Sequence, residues 1–479
     1  MTVASDPYYT AISPHASVRS TVIVKTLDVQ AAYALLNDAL MHYQGRPVGT
    51  VAALDPDGPA AANYEECFIR DFIPAALVFL NDGRSEIVRN FLETVLHLRT
   101  HGRLTAGHET QPGVMPASFK VVADAEGNES LTADFGERAI GRVAPVDSMM
   151  WWMLLLHAYA QSTGDTEFSE RRELQRTMRE IMELCLRDAF EVFPTLLVPD
   201  GSFMIDRRMG VYGHPLEIQA LFYGVLQTAG EWLRPMPDAV AIIKAAMKRK
   251  QTLRTYVRIF YWLDLERLNE IHRFSVEEFG TGSVNMLNIN PDSIPPRIEE
   301  WFPEQGGFFV GNLGPGRMDF RFFAQGNLLS VLFGLATEQQ AHELFRLYDA
   351  KWDELVGHMP VKICYPALEG AAWHLLTGSD PKNVPWSYHN GGNWPALLWP
   401  FVAAALRAGR RDLAERACDL AGGRLLADQW PEYYDGKKGR LLGRRANINQ
   451  IWSASSYILS RQLLEDESRL ALFPRDPNA

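Results

Sequence analysis

Hydrophobic positions along this chain recur at helical spacing, and they do so in pairs of segments. An apolar run closes on a short glycine-containing turn, and an amphipathic segment follows. Ala75–Leu80, Asn81-Asp82-Gly83 and Ser85–Leu98 make one such unit. Met149–Ala160, Thr163-Gly164-Asp165 and Glu167–Leu186 make another, and Phe401–Ala408, Gly409 and Arg411–Ala421 a third. Ala371–Leu376, closing on Thr377-Gly378-Ser379-Asp380, begins in the same way. Glycine suits the position after a helix C-terminus, and Asp or Ser suits the N-cap that follows. Repeated units of this kind predict stacked helical hairpins and not βαβ units. The more charged segment 235–275 reads as a further hairpin or as an exposed excursion.

Between the hairpins lie long stretches rich in Gly, Pro and aromatic residues: 101–148, 194–217, 301–327, 383–395 and 427–452. They are longer than compact connections require. Gathered at one end of a helical scaffold, such loops are where a site is built. No low-complexity linker separates the two halves. The expectation is an all-α chain in which residues 26–470 form a single closed ring of helical hairpins. A loose N-terminal tail (1–25) and a short C-terminal tail (471–479) would flank it.

Composition narrows the function. The 479 residues carry 47 Lys and Arg against 58 Asp and Glu, a net charge of −11, which leaves no global basic footprint for nucleic acid or an anionic membrane. The longest uncharged stretch, Asn383 to Leu406, contains three prolines, a histidine and three asparagines and makes a poor membrane span. The four cysteines (Cys67, Cys185, Cys364 and Cys418) show neither C-x-x-C pairing nor metal spacing, and read as free thiols in a reducing compartment. With no apolar signal segment near Met1, the chain is expected to be cytoplasmic. It carries 12 Trp, 16 Tyr and 24 Phe, rings that fill cores and also stack on sugar faces.

Phosphate-cradling loops, H-E-x-x-H and G-x-S-x-G are absent, so nucleotide, metal and serine-nucleophile chemistries have no sequence support. What remains is carboxylates among aromatics and amides, the groups that cleave glycosidic bonds. Five segments carry them. In Phe68-Ile69-Arg70-Asp71-Phe72 the Arg-Asp pair is either a structural ion pair or a holder of sugar hydroxyls. In Val146-Asp147-Ser148-Met149-Met150-Trp151-Trp152, Asp147 is either an N-cap or, with Trp151, part of a sugar pocket. Asp206 follows the apolar triplet Phe203-Met204-Ile205, as an inward-facing acid would; the other reading is a surface Asp paired to Arg207 or Arg208. A general acid at neutral pH needs a raised pKa, so Arg207 and Arg208 should then point elsewhere or toward other carboxylates. Trp386-Ser387-Tyr388-His389-Asn390-Gly391-Gly392-Asn393-Trp394 surrounds a glycine pair with rings and amides, an arrangement that would let a ligand reach the backbone. Glu432 sits among rings in Gln429-Trp430-Pro431-Glu432-Tyr433-Tyr434-Asp435, either as a site carboxylate or as an exposed loop acid.

Phe68 to Phe72, Gly113-Val114-Met115-Pro116-Ala117-Ser118-Phe119-Lys120, Asp206 to Pro215, Trp386 to Trp394 and Trp430 to Asp435 occur in the order seen in alkaline/neutral invertases, and the chain resembles that family from about residue 30 to 465. The resemblance implies an (α/α)6 barrel that hydrolyses sucrose to glucose and fructose with inversion, without cofactor or metal, in an enzyme that can form homo-oligomers. It implies Asp206 as general acid and Glu432 as general base. Arg70 and Asp71 would be glucosyl ligands, and Asp147, Trp151, His389, Asn390, Trp394 and Tyr433 would belong to the same pocket. Other readings are another disaccharide hydrolase or a phosphorylase on the same barrel, or a catalytically silent sugar-binding protein.

Overall fold

Helices of two kinds alternate along the chain in the computed structural model, which describes residues 26–55, 63–100, 104–105, 108–109, 111–137, 144–187, 194–198, 200–274, 276, 284–314 and 317–476. In chain order they are α1 (Leu27–Asp38), α2 (Ile69–Asn81), α3 (Ser85–Leu98), α4 (Ser148–Thr163), α5 (Arg172–Cys185) and α6 (Leu216–Trp232). There follow α7 (Val240–Tyr256), α8 (Ala324–Leu332), α9 (Glu338–Ala350), α10 (Leu398–Arg407), α11 (Arg411–Ala427) and α12 (Ile451–Glu465). The even-numbered helices pack in sequence, α2 on α4, α4 on α6, α6 on α8, α8 on α10 and α10 on α12, and α12 returns to α2. That closed circuit is the inner ring of an (α/α)6 barrel.

The residues explain the layering. Inner helices are buried nearly all round: α4 hides every residue from Ser148 to Ala160 and α6 every residue from Leu216 to Ala229. A helix walled in on all sides must be apolar on all sides. Outer helices are one-sided. In α5 the buried positions Leu174, Met178, Ile181, Met182 and Cys185 fall on one stripe, while arginines and glutamates cover the other face. The turn between α4 and the segment after it follows the sequence pattern. Gly164 adopts φ 68°, its N–H donates to the Ala160 carbonyl, and the Asp165 carboxylate accepts from the Phe168 N–H at 3.0 Å.

Three features differ from the sequence expectation. The long stretches 101–148 and 301–327 hold small antiparallel sheets as well as loop. Ser118–Ala123 pairs with Glu129–Asp134 and, on its other edge, with Cys67–Phe68 just before α2. Gly307–Gly314 pairs with Arg317–Phe323 and with Trp262–Asp264. Next, Ala371–Leu376 does not start another hairpin of the ring. The short helix Gly370–Thr377 lies outside it, largely exposed, with its Leu376 side chain over Gly210. Finally, the C-terminal tail is packed as far as it is described. Phe473 stacks on Trp399 with ring centroids 5.5 Å apart, and the buried Asp476 accepts from the Tyr223 hydroxyl at 2.8 Å and pairs with Arg254 at 3.0 Å. The stretch 235–275 contributes α7, an outer helix, followed by a short strand and the helix Leu265–Arg273. The tail expected at residues 1–25 lies outside the described residues.

Candidate active site

All six inner helices start at one end of the barrel, and the polar residues of the sequence motifs sit at those starts. Arg70 and Asp71 occupy the first turn of α2, Asp147 precedes α4, Glu217 opens α6 and Gln325 opens α8. Trp394 lies just before α10, and Gln450 precedes α12. Helix N-termini present unpaired N–H groups and the positive ends of their dipoles, so carboxylates gathered there are partly compensated. The two remaining acids come from the loops leading into α6 and α12: Asp206 and Glu432.

Asp147 stands at the N-cap position of α4, yet its side chain makes no cap hydrogen bond. Its Oδ2 instead accepts from Arg70 Nη1 at 2.7 Å, with both side chains largely buried. Of the two readings open for Asp147, the capping hydrogen bond is absent among the described residues and the ion pair with Arg70 stands in its place. Asp71 lies 3.8 Å from Arg70 Nε and has no hydrogen-bond partner among the described residues. Burial pushes its carboxyl up to about 7, against the pull of Arg70 and with the push of Glu432 and Asp147. Glu217 is likewise pushed up to about 8 by burial and by Asp147; one of its oxygens accepts from the Met204 N–H at 3.0 Å, and the other has no partner among the described residues. Arg70 thus faces three acids while at least one of them is held toward the neutral form.

Glu432 is almost fully buried and its Oε1 accepts from the Tyr64 hydroxyl at 2.9 Å. Burial raises its pKa, while the Lys382 ammonium and the Tyr64 hydrogen bond pull in the opposite direction. Asp206 is half-buried. Its backbone N–H donates to His389 Nδ1 at 2.7 Å, and its carboxylate accepts from the Arg208 N–H at 2.9 Å and weakly from Asn383 Nδ2 at 3.4 Å. The Arg208 guanidinium turns away to Asp380 at 3.3 Å, as a free Asp206 requires; the Arg207 side chain lies outside what is described. Accepting the Asp206 N–H fixes His389 Nδ1 as an unprotonated nitrogen. Burial, with Lys382 and Arg70, holds its pKa well below the usual imidazole value.

The segment 382–394 joins the two carboxylates. Lys382 Nζ lies 3.8 Å from the centre of the Tyr388 ring and interacts electrostatically with both Glu432 and Asp206. Tyr388 stacks on His389 with centroids 4.1 Å apart and planes 8° apart. Trp386 and Tyr388 hold left-handed backbone angles (φ 65° and 49°), as do Gln429 and Trp430 (φ 59° and 53°) beside Glu432. Non-glycine residues in this region cost energy that the surrounding fold must offset, and such residues gather at functional sites.

Several motif residues serve the loop itself. Asn390 is fully buried; its oxygen accepts from the Leu368 N–H at 2.6 Å, and its amide donates to the Leu368 and Asn383 carbonyls. Tyr433 donates to the Arg444 carbonyl at 2.7 Å, and Trp394, also fully buried, donates to the Tyr388 carbonyl at 3.1 Å. The polar atoms of these three are engaged in holding the loops together. The glycine pair also differs from expectation. A Cβ on Gly436 would come within 1.7 Å of the Gly391 carbonyl, so the open backbone there is filled by the neighbouring loop and not by a ligand. Trp151, buried, keeps an indole N–H without a partner among the described residues and lines a small cavity with Arg70, Gln325 and Trp452. Sequence reasoning missed Tyr64, Glu217, Lys382, Asn383 and Tyr388. Tyr388 lay inside a quoted motif; Lys382 and Asn383 stand just before it, and their signal was that proximity alone.

A family model described as alkaline and neutral invertase matches residues 32–467. The chain belongs to that family. It is 47% identical over 454 residues to "Neutral/alkaline invertase 3, chloroplastic" of Oryza sativa subsp. japonica, an alignment covering 94% of this chain and 75% of the relative. It is 49% identical over 442 residues to "Cytosolic invertase 1" of the same plant, covering 92% and 79%. Invertase family membership makes the protein a glycoside hydrolase. Among solved structures, a mannosylglycerate hydrolase from Thermus thermophilus superposes with a TM-score of 0.54 at 13% identity, covering 90% of this chain and 98% of the other. That likeness supports the barrel fold alone.

Proposed function

We propose that this member of the invertase family hydrolyses sucrose to glucose and fructose with inversion at the glucosyl anomeric carbon. The observation that carries the reading is that Asp206 and Glu432, on the loops into α6 and α12, are both tied to segment 382–394 through Lys382, above a floor of inner-helix starts. Asp206 stands at the more open side and donates its proton to the glycosidic oxygen as the bond to the glucosyl carbon breaks. Closure of substrate over its half-exposed carboxyl supplies the burial a general acid needs. Glu432, held by Tyr64 and pulled toward its ionised form by Lys382, takes a proton from the water that attacks the opposite face. Inversion calls for a carboxyl separation of roughly 6.5–9.5 Å, which leaves room for that water. Asp71 and Arg70 take glucosyl hydroxyls. His389 fixes the Asp206 backbone, a positioning role. Four buried, free cysteines support a reducing, cytoplasmic setting.

The test is proton NMR of sucrose with the purified protein at neutral pH. Glucose appearing first as the β-anomer supports inversion and the division of labour between Asp206 and Glu432. First-formed α-glucose overturns the mechanism, and no turnover overturns the substrate.

A further inference from the structure

A second cleft, of about 640 Å³, opens on the back of the two loops that carry the active site, and none of the residues that line it belongs to the catalytic cluster. That volume lies within the usual range for small-molecule sites, roughly 300–1,000 Å³. Trp386 and Tyr365 form an aromatic corner, with ring centroids 5.9 Å apart. Trp386 is fixed there, since its indole N–H donates to Glu369 at 2.7 Å and Glu369 in turn accepts from Arg297 at 2.9 Å. The walls are zipped together, the His358 N–H donating to the Lys438 carbonyl at 3.0 Å and the Gly436 N–H to the Trp386 carbonyl at 2.8 Å.

The charges are unusual for an acidic chain of net −11. Lys437 and Lys438 both line the cleft, and neither side chain makes a hydrogen bond or ion pair among the described residues. Lys362 lies at the base, only 1% exposed, donating to Asn393 Oδ1 at 3.0 Å and to the Gly436 carbonyl. Asp353 and Glu354 stand on the opposite wall. Inorganic phosphate alone would meet those carboxylates unfavourably, and a neutral sugar would leave Lys437 and Lys438 without a direct ion pair. A molecule with an anionic head, hydroxyl donors and an apolar C–H face satisfies lysines, carboxylates and rings together.

We propose that this cleft is a binding site for a sugar phosphate, the phosphate on Lys437 and Lys438 and the sugar ring against Trp386 and Tyr365. The site is separate from the one that holds sucrose.

Isothermal titration calorimetry with glucose 6-phosphate at low salt tests it. Wild type takes one molecule per chain. The double variant Lys437→Ala/Lys438→Ala weakens binding by at least about tenfold, while its sucrose turnover stays at the wild-type level. Inorganic phosphate and glucose each bind at least about tenfold more weakly than glucose 6-phosphate. The Asp206→Asn variant, impaired in catalysis, binds as wild type does. No saturation up to about 10 mM overturns the proposal, as does equal affinity in the double variant or equally tight inorganic phosphate. Loss of binding in Asp206→Asn overturns it too, by moving the ligand to the catalytic pocket. The hydrolase reading is decided separately, by sucrose turnover.

Discussion

Removing one oxygen atom tests the assignment of Glu432 as the base. Tyr64 donates to Glu432 Oε1 at 2.9 Å, and burial together with Glu432 raises the phenol pKa, so the hydroxyl stays a donor over the whole working range. A hydrogen bond to a charged group contributes about 1.5–3 kcal/mol, and one pKa unit corresponds to about 1.4 kcal/mol. Tyr64→Phe deletes a bond that favours the ionised carboxylate, so the pKa of Glu432 rises by about 1–2 units. The base must be ionised to act, so activity is lost from the acid side. In kcat/KM for sucrose measured from about pH 5 to 9, the acidic limb moves up by about one unit or more, and the rate below it falls about tenfold or more. On the alkaline side of that limb the variant recovers to within about threefold of wild type. The basic limb, set by the proton donor, stays in place. An acidic limb that does not move, or one that moves to lower pH, refutes the role of Glu432. A uniform loss at every pH refutes it as well, because it would mean that the pocket was damaged and not retuned.

Three further predictions follow from the same geometry. Asp206→Asn and Glu432→Gln keep shape and lose proton transfer, so each drops kcat by about 10²–10⁴-fold with an unchanged circular dichroism melt; near-normal turnover in either removes that residue from the mechanism. Asp147→Ala strips Arg70 of its 2.7 Å partner, leaving the 3.8 Å contact to Asp71 as its remaining ion pair. The cost in urea unfolding is about 2–3 kcal/mol, and an unchanged midpoint contradicts the view that this pair supports the pocket floor. Glu217→Gln is stabilising at neutral pH. Burial raises the folded carboxyl to about 8, so the wild type loses stability as pH rises from the ordinary carboxylate value toward 8, where the unfolded chain is ionised and the folded one is not. The variant lacks that loss while its amide oxygen still accepts from Met204. Its advantage therefore grows across that window and is absent near pH 4, the ordinary carboxylate range, and a constant difference at all pH values counts against a neutral Glu217.

The ring of helices was legible because burial writes itself into periodicity. Helices α4 and α6 had to be apolar on every face, and α5 on one, and those two patterns separate inner from outer layers before any coordinates exist. The site was legible where an ionisable group interrupted such a run, as Arg70 and Asp71 do at the start of α2. The sheets were not legible, because Ser118–Ala123 and Glu129–Asp134 are short, half-exposed strands whose pairing depends on a non-local partner at Cys67–Phe68. The roles within the Trp386–Trp394 motif were not legible either. Composition cannot tell an asparagine that binds a sugar from one whose amide holds Leu368 and Asn383 in place, since both need the same side chain. Lys382, Tyr64 and Asn383 were missed for a related reason. Each reaches Glu432 or Asp206 from between 50 and 368 residues away in sequence, and a lone polar residue carries no periodicity to betray so distant a partner. The consequence for the chemistry is direct. The proposed acid and base lie in recognisable motifs, but Tyr64 and Lys382, which pull Glu432 toward its ionised form against burial, lie outside them, and it is these residues, Tyr64 above all, whose substitution separates a tuned carboxylate from one that is merely present.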